Sequence, residues 1–121
     1  MKIFPQMSIL ENLEIGGYLN RRLIPERLEY VFGLFPELKT KYKIRAGVLS
    51  GGQQRMVTLG RSLMAHTSML LLDDPFFGFE PKVCANLLQY LSNPAAKRPD
   101  PVYFGSACAA HFKCGGYGLL D

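Results

Sequence analysis

Leu49-Ser50-Gly51-Gly52-Gln53-Gln54-Arg55 and, further along, Met69-Leu70-Leu71-Leu72-Asp73-Asp74-Pro75 are the two stretches that decide the fold of this chain. In the first, Ser50 and Gln53 stand at capping-box spacing, which predicts a helix from Ser50 to about Ala65 with Met56, Leu59, Gly60, Leu63 and Met64 on one apolar stripe. The paired glycines leave backbone N–H groups at the positive end of that helix open to an anion. Taken alone, the same residues are also a plain helix cap. The second stretch is a short continuous apolar run, which fits a strand buried on both faces of a parallel sheet. It delivers Asp73 and Asp74 to its carboxyl end, where open α/β sheets bind ligands, and Pro75 ends it. A carboxylate there can hold Mg²⁺ through water beside a nucleotide's phosphates, although Asp pairs at strand ends also initiate turns. The two motifs in this order favour the ligand reading over either bland one.

Working outward, Ser8 and Glu11 form a second capping-box pattern, for a helix to about Ile15 that Gly16-Gly17 stops. Pro25 suits the first turn of another helix, with Leu28, Val31, Phe32 and Phe35 on its apolar face and Pro36 closing it. Lys39, Lys41, Lys43 and Arg45 read as a solvated loop. Residues Lys82 to Leu91 return to helical spacing and Val102-Tyr103-Phe104 is a candidate strand, so 69–104 reads as one βαβ unit. The fold class is therefore α/β.

The 121 residues carry 14 basic and 10 acidic side chains, a net charge of +4 with no concentrated basic stripe, which argues against a nucleic-acid groove. No apolar run approaches the ~20 residues of a membrane-spanning helix, so direct membrane insertion is not expected. Three cysteines, an odd number, and an amino terminus without an apolar signal core point to the reducing cytosol.

Residues 49–55 (LSGGQQR) and 69–75 (MLLLDDP), with GRSLMAH at 60–66 between them, resemble the signature motif and Walker B strand of the ATP-binding-cassette (ABC) ATPases. IFPQMSILENLEIGGYL (3–19), LFPELKTKY (34–42) and FGFEP (77–81) are similar to the ATPase subunit of branched-chain amino-acid importers, a resemblance that fades after about Leu91. It implies a truncated P-loop NTPase-like fold: a helical subdomain over 1–47, the signature helix, Walker B strand and crossover helix over 48–104, and an unassigned tail over 105–121. It also implies that Ser50, Gly51, Gly52 and Gln53 meet the ATP held by a second ABC ATPase subunit, in a homo- or heterodimer that sandwiches nucleotide head to tail. Asp73 would hold Mg²⁺, and 78–81 would run along the dimer interface. The helical subdomain would dock on a membrane permease, placing the chain at the inner face of the membrane.

The departures are as informative. No GxxxxGK[ST] occurs in the 121 residues, so nothing in them cradles the β- and γ-phosphates, and the chain is expected not to hydrolyse ATP alone. Asp74 stands where the family has its catalytic Glu. Being one methylene shorter, it is withdrawn from an attacking water by ~1 Å or more, which can cost on the order of 10²-fold and makes it a poor base. The family's switch role does not transfer to His111. Cys108, His111 and Cys114 offer three metal ligands where a structural zinc site takes four, and read better as unconnected residues. Two functions follow: a partial ATPase subunit completed by an amino-terminal half, or a non-catalytic module that binds a permease or a full-length ATPase.

Overall fold

The computed structural model describes residues 2–65, 70–72, 77–92 and 102–104. Residues 1–66 and 67–121 form two compact units.

The first unit is helical. It runs α1 (Ile9–Gly16), a 3-10 segment (Tyr18–Leu23), α2 (Ile24–Leu34), α3 (Pro36–Thr40), a 3-10 turn (Ala46–Val48) and α4 (Gly51–Met64). The Ser8 box forms as its spacing demands: the Ser8 hydroxyl accepts from Glu11 N–H at 3.1 Å, and Ser8 N–H donates to the Glu11 carboxylate at 2.7 Å. That bond to Ser8 N–H holds the Glu11 carboxyl below its ordinary pKa of 4.5. Pro25 opens α2 within its first two positions, where its missing N–H costs nothing.

Two expectations are corrected here. Pro36 closes α2 but also opens α3, because a proline that cannot continue one helix suits the first turn of the next. Lys39 accordingly lies in a helix. Of the expected stripe, Val31 and Phe35 are buried while Leu28 and Phe32 are only half-buried, and the covered face of α2 extends instead over Arg27, Tyr30 and Leu34. Periodicity fixes the repeat of a helix but not which side the neighbours cover, and here α4 covers the Val31 side.

The core of this unit is built on α4, which packs against α1 and α2. Ile9, Leu13, Val31, Leu38, Val57 and Met64 are almost fully buried, each burial contributing about 1.5–3 kcal/mol. Close approach is achieved through small residues. An added Cβ at Gly60 would come within 2.8 Å of Val31 Cγ1 and 3.0 Å of Leu13 Cδ2. One at Gly16 would overlap the Arg61 carbonyl oxygen and lie 2.9 Å from Arg61 Cγ.

Asn12, entirely buried, pins the segment ahead of α1. Its Oδ1 accepts from Phe4 N–H at 2.8 Å, and its Nδ2 donates to the carbonyls of Phe4 (3.0 Å), Met7 (3.3 Å) and Ser8 (2.8 Å). The stretch before α4 lies alongside the same segment: Ala46 N–H donates to the Met7 carbonyl at 2.9 Å and Gly47 N–H to that of Pro5 at 3.0 Å. Ile9 and Leu10 N–H in turn donate to the carbonyls of Ile44 and Tyr42, both at 3.0 Å. In the run expected as a solvated loop Lys39, Lys43 and Arg45 are exposed, while the backbone of 41–45 is tied to the start of α1.

The second unit contains β1 (Leu70–Leu72) and β2 (Val102–Phe104), paired in parallel with Leu70 opposite Val102 and Leu72 opposite Phe104. Between them in the chain lies α5 (Pro81–Ser92), the βαβ order expected from the sequence. Gly78 takes a left-handed φ of 82° in the turn before α5, a conformation that favours glycine. Cys84 and Leu87 are buried on α5, and desolvation pushes the Cys84 thiol pKa up. Among the described residues no helix is long and apolar enough to cross a membrane.

Candidate functional site

The site grows from the start of α4. Ser50 has extended backbone (φ −61°, ψ 161°), as an N-cap requires, and its hydroxyl accepts from Gln53 N–H at 3.3 Å. Gln53 reaches back, its Oε1 accepting from Ser50 N–H at 3.2 Å. The first helical backbone bond is Gln54 N–H to the Ser50 carbonyl at 2.9 Å. That leaves the amides of Gly51 and Gly52 as the orphan donors at the helix start, with no acceptor assigned among the described residues. Gly51 is exposed, and a Cβ placed on it would meet nothing within 4 Å. No acidic residue sits in the first turn of α4, so its own sequence leaves the positive end of the helix dipole unopposed. Two donors without an acceptor among the described residues, an open approach at Gly51 and a favourable dipole fit a phosphate oxygen.

Residues spaced by one helical turn on α4, Gly51, Arg55 and Thr58, line a groove of about 490 Å³ with Lys2, Pro5 and Gly47 opposite. Two cationic side chains therefore border the same helix end. Further along α4, the Arg61 side chain is 6% exposed, with Nη2 donating to the Lys2 carbonyl at 2.7 Å and the guanidinium carbon 5.4 Å from the Phe4 ring centre. Arg61 thereby ties the chain's first residues to α4.

Of the residues singled out from the sequence, the structure brings Ser50, Gly51, Gly52 and Gln53 together at one helix end. Asp73, Asp74, Cys108, His111 and Cys114 lie outside the described residues. Among the described residues no group of three or more His, Cys, Asp or Glu could hold a metal ion. One neighbour of the site was not read from the sequence. Glu37, on α3, accepts from Gln53 Nε2 at 3.4 Å. Nothing in the spacing of positions 37 and 53 marks this contact, which only the packing of α3 beside α4 creates.

The capped glycine pair before a long helix, followed in the chain by a parallel βαβ unit, agrees with the order of elements that the ATP-binding-cassette resemblance implies. The ABC transporter family matches residues 1–77, and the chain belongs to that family. It is 35% identical over 91 residues to the high-affinity branched-chain amino acid transport ATP-binding protein BraG of Pseudomonas aeruginosa, covering 74% of this chain and 39% of BraG. It is also 34% identical over 85 residues to the phosphate import ATP-binding protein PstB of Mycolicibacterium paratuberculosis, over 64% of this chain and 33% of that protein. Among solved structures, the ADP conformation of an ATP-binding cassette of an ABC transporter matches with a TM-score of 0.54 and 31% identity, over 83% of this chain and 45% of that one. The chain thus spans roughly a third to two-fifths of the length of these curated relatives.

Proposed function

We propose that the chain supplies the signature half of a nucleotide site shared between two ABC ATPase subunits of an importer for branched-chain amino acids. The observation that carries this reading is the start of α4, where the amides of Gly51 and Gly52 have no acceptor among the described residues and Gly51 is open to approach beside a Ser50–Gln53 cap. Ser50, Gly51, Gly52 and Gln53 would receive the terminal phosphate and ribose of an ATP held by the partner subunit. Asp73 would hold the accompanying Mg²⁺, and Asp74 would stand in the base position. The bound ion's chemistry is to neutralise charge building on the phosphates. The helical residues 1–47 would bear on a membrane permease at the inner face of the membrane. Similarity to BraG supports the branched-chain substrate class.

Without a GxxxxGK[ST] loop in its 121 residues, the chain has no cradle for the β- and γ-phosphates, and turnover requires a complementing half. The experiment mixes the chain with an intact family ATPase subunit and follows ATP-dependent complex formation for the parent and Gly52→Asp. A carboxylate set against the phosphate should abolish nucleotide-dependent association while costing at most about 1 kcal/mol of stability as a helix-start change. Unchanged association with unchanged stability would reduce the segment to a helix cap.

A further inference from the structure

The 3-10 segment between α1 and α2 (Tyr18–Leu23) has no buried residue. Tyr18 is 63% exposed and Leu19 98%, so the leucine gives almost its whole surface to water. Asn20, Arg21 and Arg22 are exposed as well, and the Arg21 guanidinium carbon lies 4.8 Å from the Tyr18 ring centre. The foot of the segment is held firmly, since an added Cβ at Gly17 would come within 2.8 Å of Ile24 Cγ1. The backbone turns at Asn20 (φ −139°, ψ 74°), whose N–H donates to the Gly17 carbonyl at 3.1 Å. The apolar pair and the arginine pair therefore share one short exposed knob, and no acidic residue lies between Glu14 and Glu26 in the chain. A lone exposed leucine is ordinary. A tyrosine and a leucine joined to two guanidiniums form an interfacial pattern, in which the apolar groups enter the boundary between headgroups and acyl chains and the cations stay with the phosphates.

We propose that residues 18–22 contact an anionic lipid surface, with Leu19 and the Tyr18 ring in the headgroup layer and Arg21 and Arg22 on lipid phosphates. The chemistry favours lipid over a protein partner. A stable protein interface takes about 800 Å² from each side and has a core depleted of charge. Tyr18 and Leu19 together supply less than about half of that area, and two guanidiniums stand beside them. A lipid surface needs no complementary shape and accepts both halves of the pattern at once. Among the described residues no helix is long and apolar enough to cross a membrane, so this contact is made from one side of the bilayer. One leucine, one tyrosine and two cations bind weakly and reversibly, which orients the helical unit on the surface without anchoring it. The contact would add to the permease contact proposed for residues 1–47 and is independent of the nucleotide reading.

The test uses the full chain, which contains no tryptophan, so that Tyr18→Trp carries a single reporter on the knob. It is titrated with vesicles of equal parts phosphatidylcholine and phosphatidylglycerol, and with vesicles of phosphatidylcholine alone. The emission should shift to the blue on the anionic vesicles only, and lipids brominated near the headgroup should quench it. In the same background Leu19→Ser, which leaves the charge unchanged, should weaken binding about tenfold. Arg21→Gln combined with Arg22→Gln should weaken it on the order of tenfold or more. Lys39→Gln combined with Lys43→Gln removes the same charge elsewhere and should weaken it less. All of these side chains are exposed, so the far-ultraviolet circular dichroism should not change. Binding without a blue shift, no loss in Leu19→Ser, or equal losses in the lysine and arginine pairs would reduce the effect to general attraction of a chain of net charge +4 and overturn the proposal. Unchanged emission with both kinds of vesicle overturns it as well and leaves the knob to a permease.

Discussion

Replacing Gly16 by alanine tests whether the close approach of α1 to α4 is what holds the helical unit together. A Cβ at this position would overlap the Arg61 carbonyl oxygen and press on Arg61 Cγ at 2.9 Å. The overlapped atom belongs to the backbone of α4, so no rotamer change relieves it and the two helices must separate. Overpacking of a well-filled core costs about 1–3 kcal/mol, and backbone against backbone belongs at the upper end. Alanine's better helix propensity returns at most about 1 kcal/mol, and less at the last residue of a helix. The net expectation is a loss of about 2 kcal/mol, which at a urea dependence of about 1–1.5 kcal/mol/M lowers the unfolding midpoint by about 1.5 M. Urea titration followed by far-ultraviolet circular dichroism measures it, with Gly51→Ala as the control, since a Cβ there meets nothing within 4 Å. A Gly16→Ala midpoint equal to that of Gly51→Ala would refute the close-packing argument.

At Gly60 the clash is with the side chains of Val31 and Leu13, which yield more readily than backbone; Gly60→Ala should cost about 1 kcal/mol, between the other two glycine variants in the same titration. Asn12→Leu leaves Phe4 N–H without its acceptor at a cost of about 1–3 kcal/mol, and should speed exchange of the Phe4 amide while α4 amides change little. Ser50→Ala should cost about 1 kcal/mol through the lost cap, read as faster exchange of Gln53 N–H, its partner in the structure. The Glu11 carboxyl is held below its ordinary 4.5 by the Ser8 N–H bond, so its contribution to the start of α1 is present above 4.5 and is lost as pH falls through the lowered folded value. Exchange of the Ser8 amide should rise across that window in the parent, whereas Glu11→Gln should show no such pH dependence; a parallel rise in both would exclude the carboxylate as the cause.

What the sequence by itself determined is local. Both capping boxes, the proline at the start of α2, the short apolar β1 and the helix between the strands depend on residues within one or two helical turns of one another, and such chemistry acts wherever the rest of the chain goes. The cap that residues 50–53 form was legible for the same reason, since Ser50 and Gln53 stand within one helical turn. Tertiary structure decided the rest. Which side of α2 is buried depends on where α4 lies, and the close approaches at Gly16 and Gly60 depend on the distance between helix axes. The run at 41–45 is held by α1 through backbone bonds that no side-chain pattern records. Glu37 reaches Gln53 because the short α3 packs beside α4, and nothing in the sequence links two positions 16 residues apart on different helices.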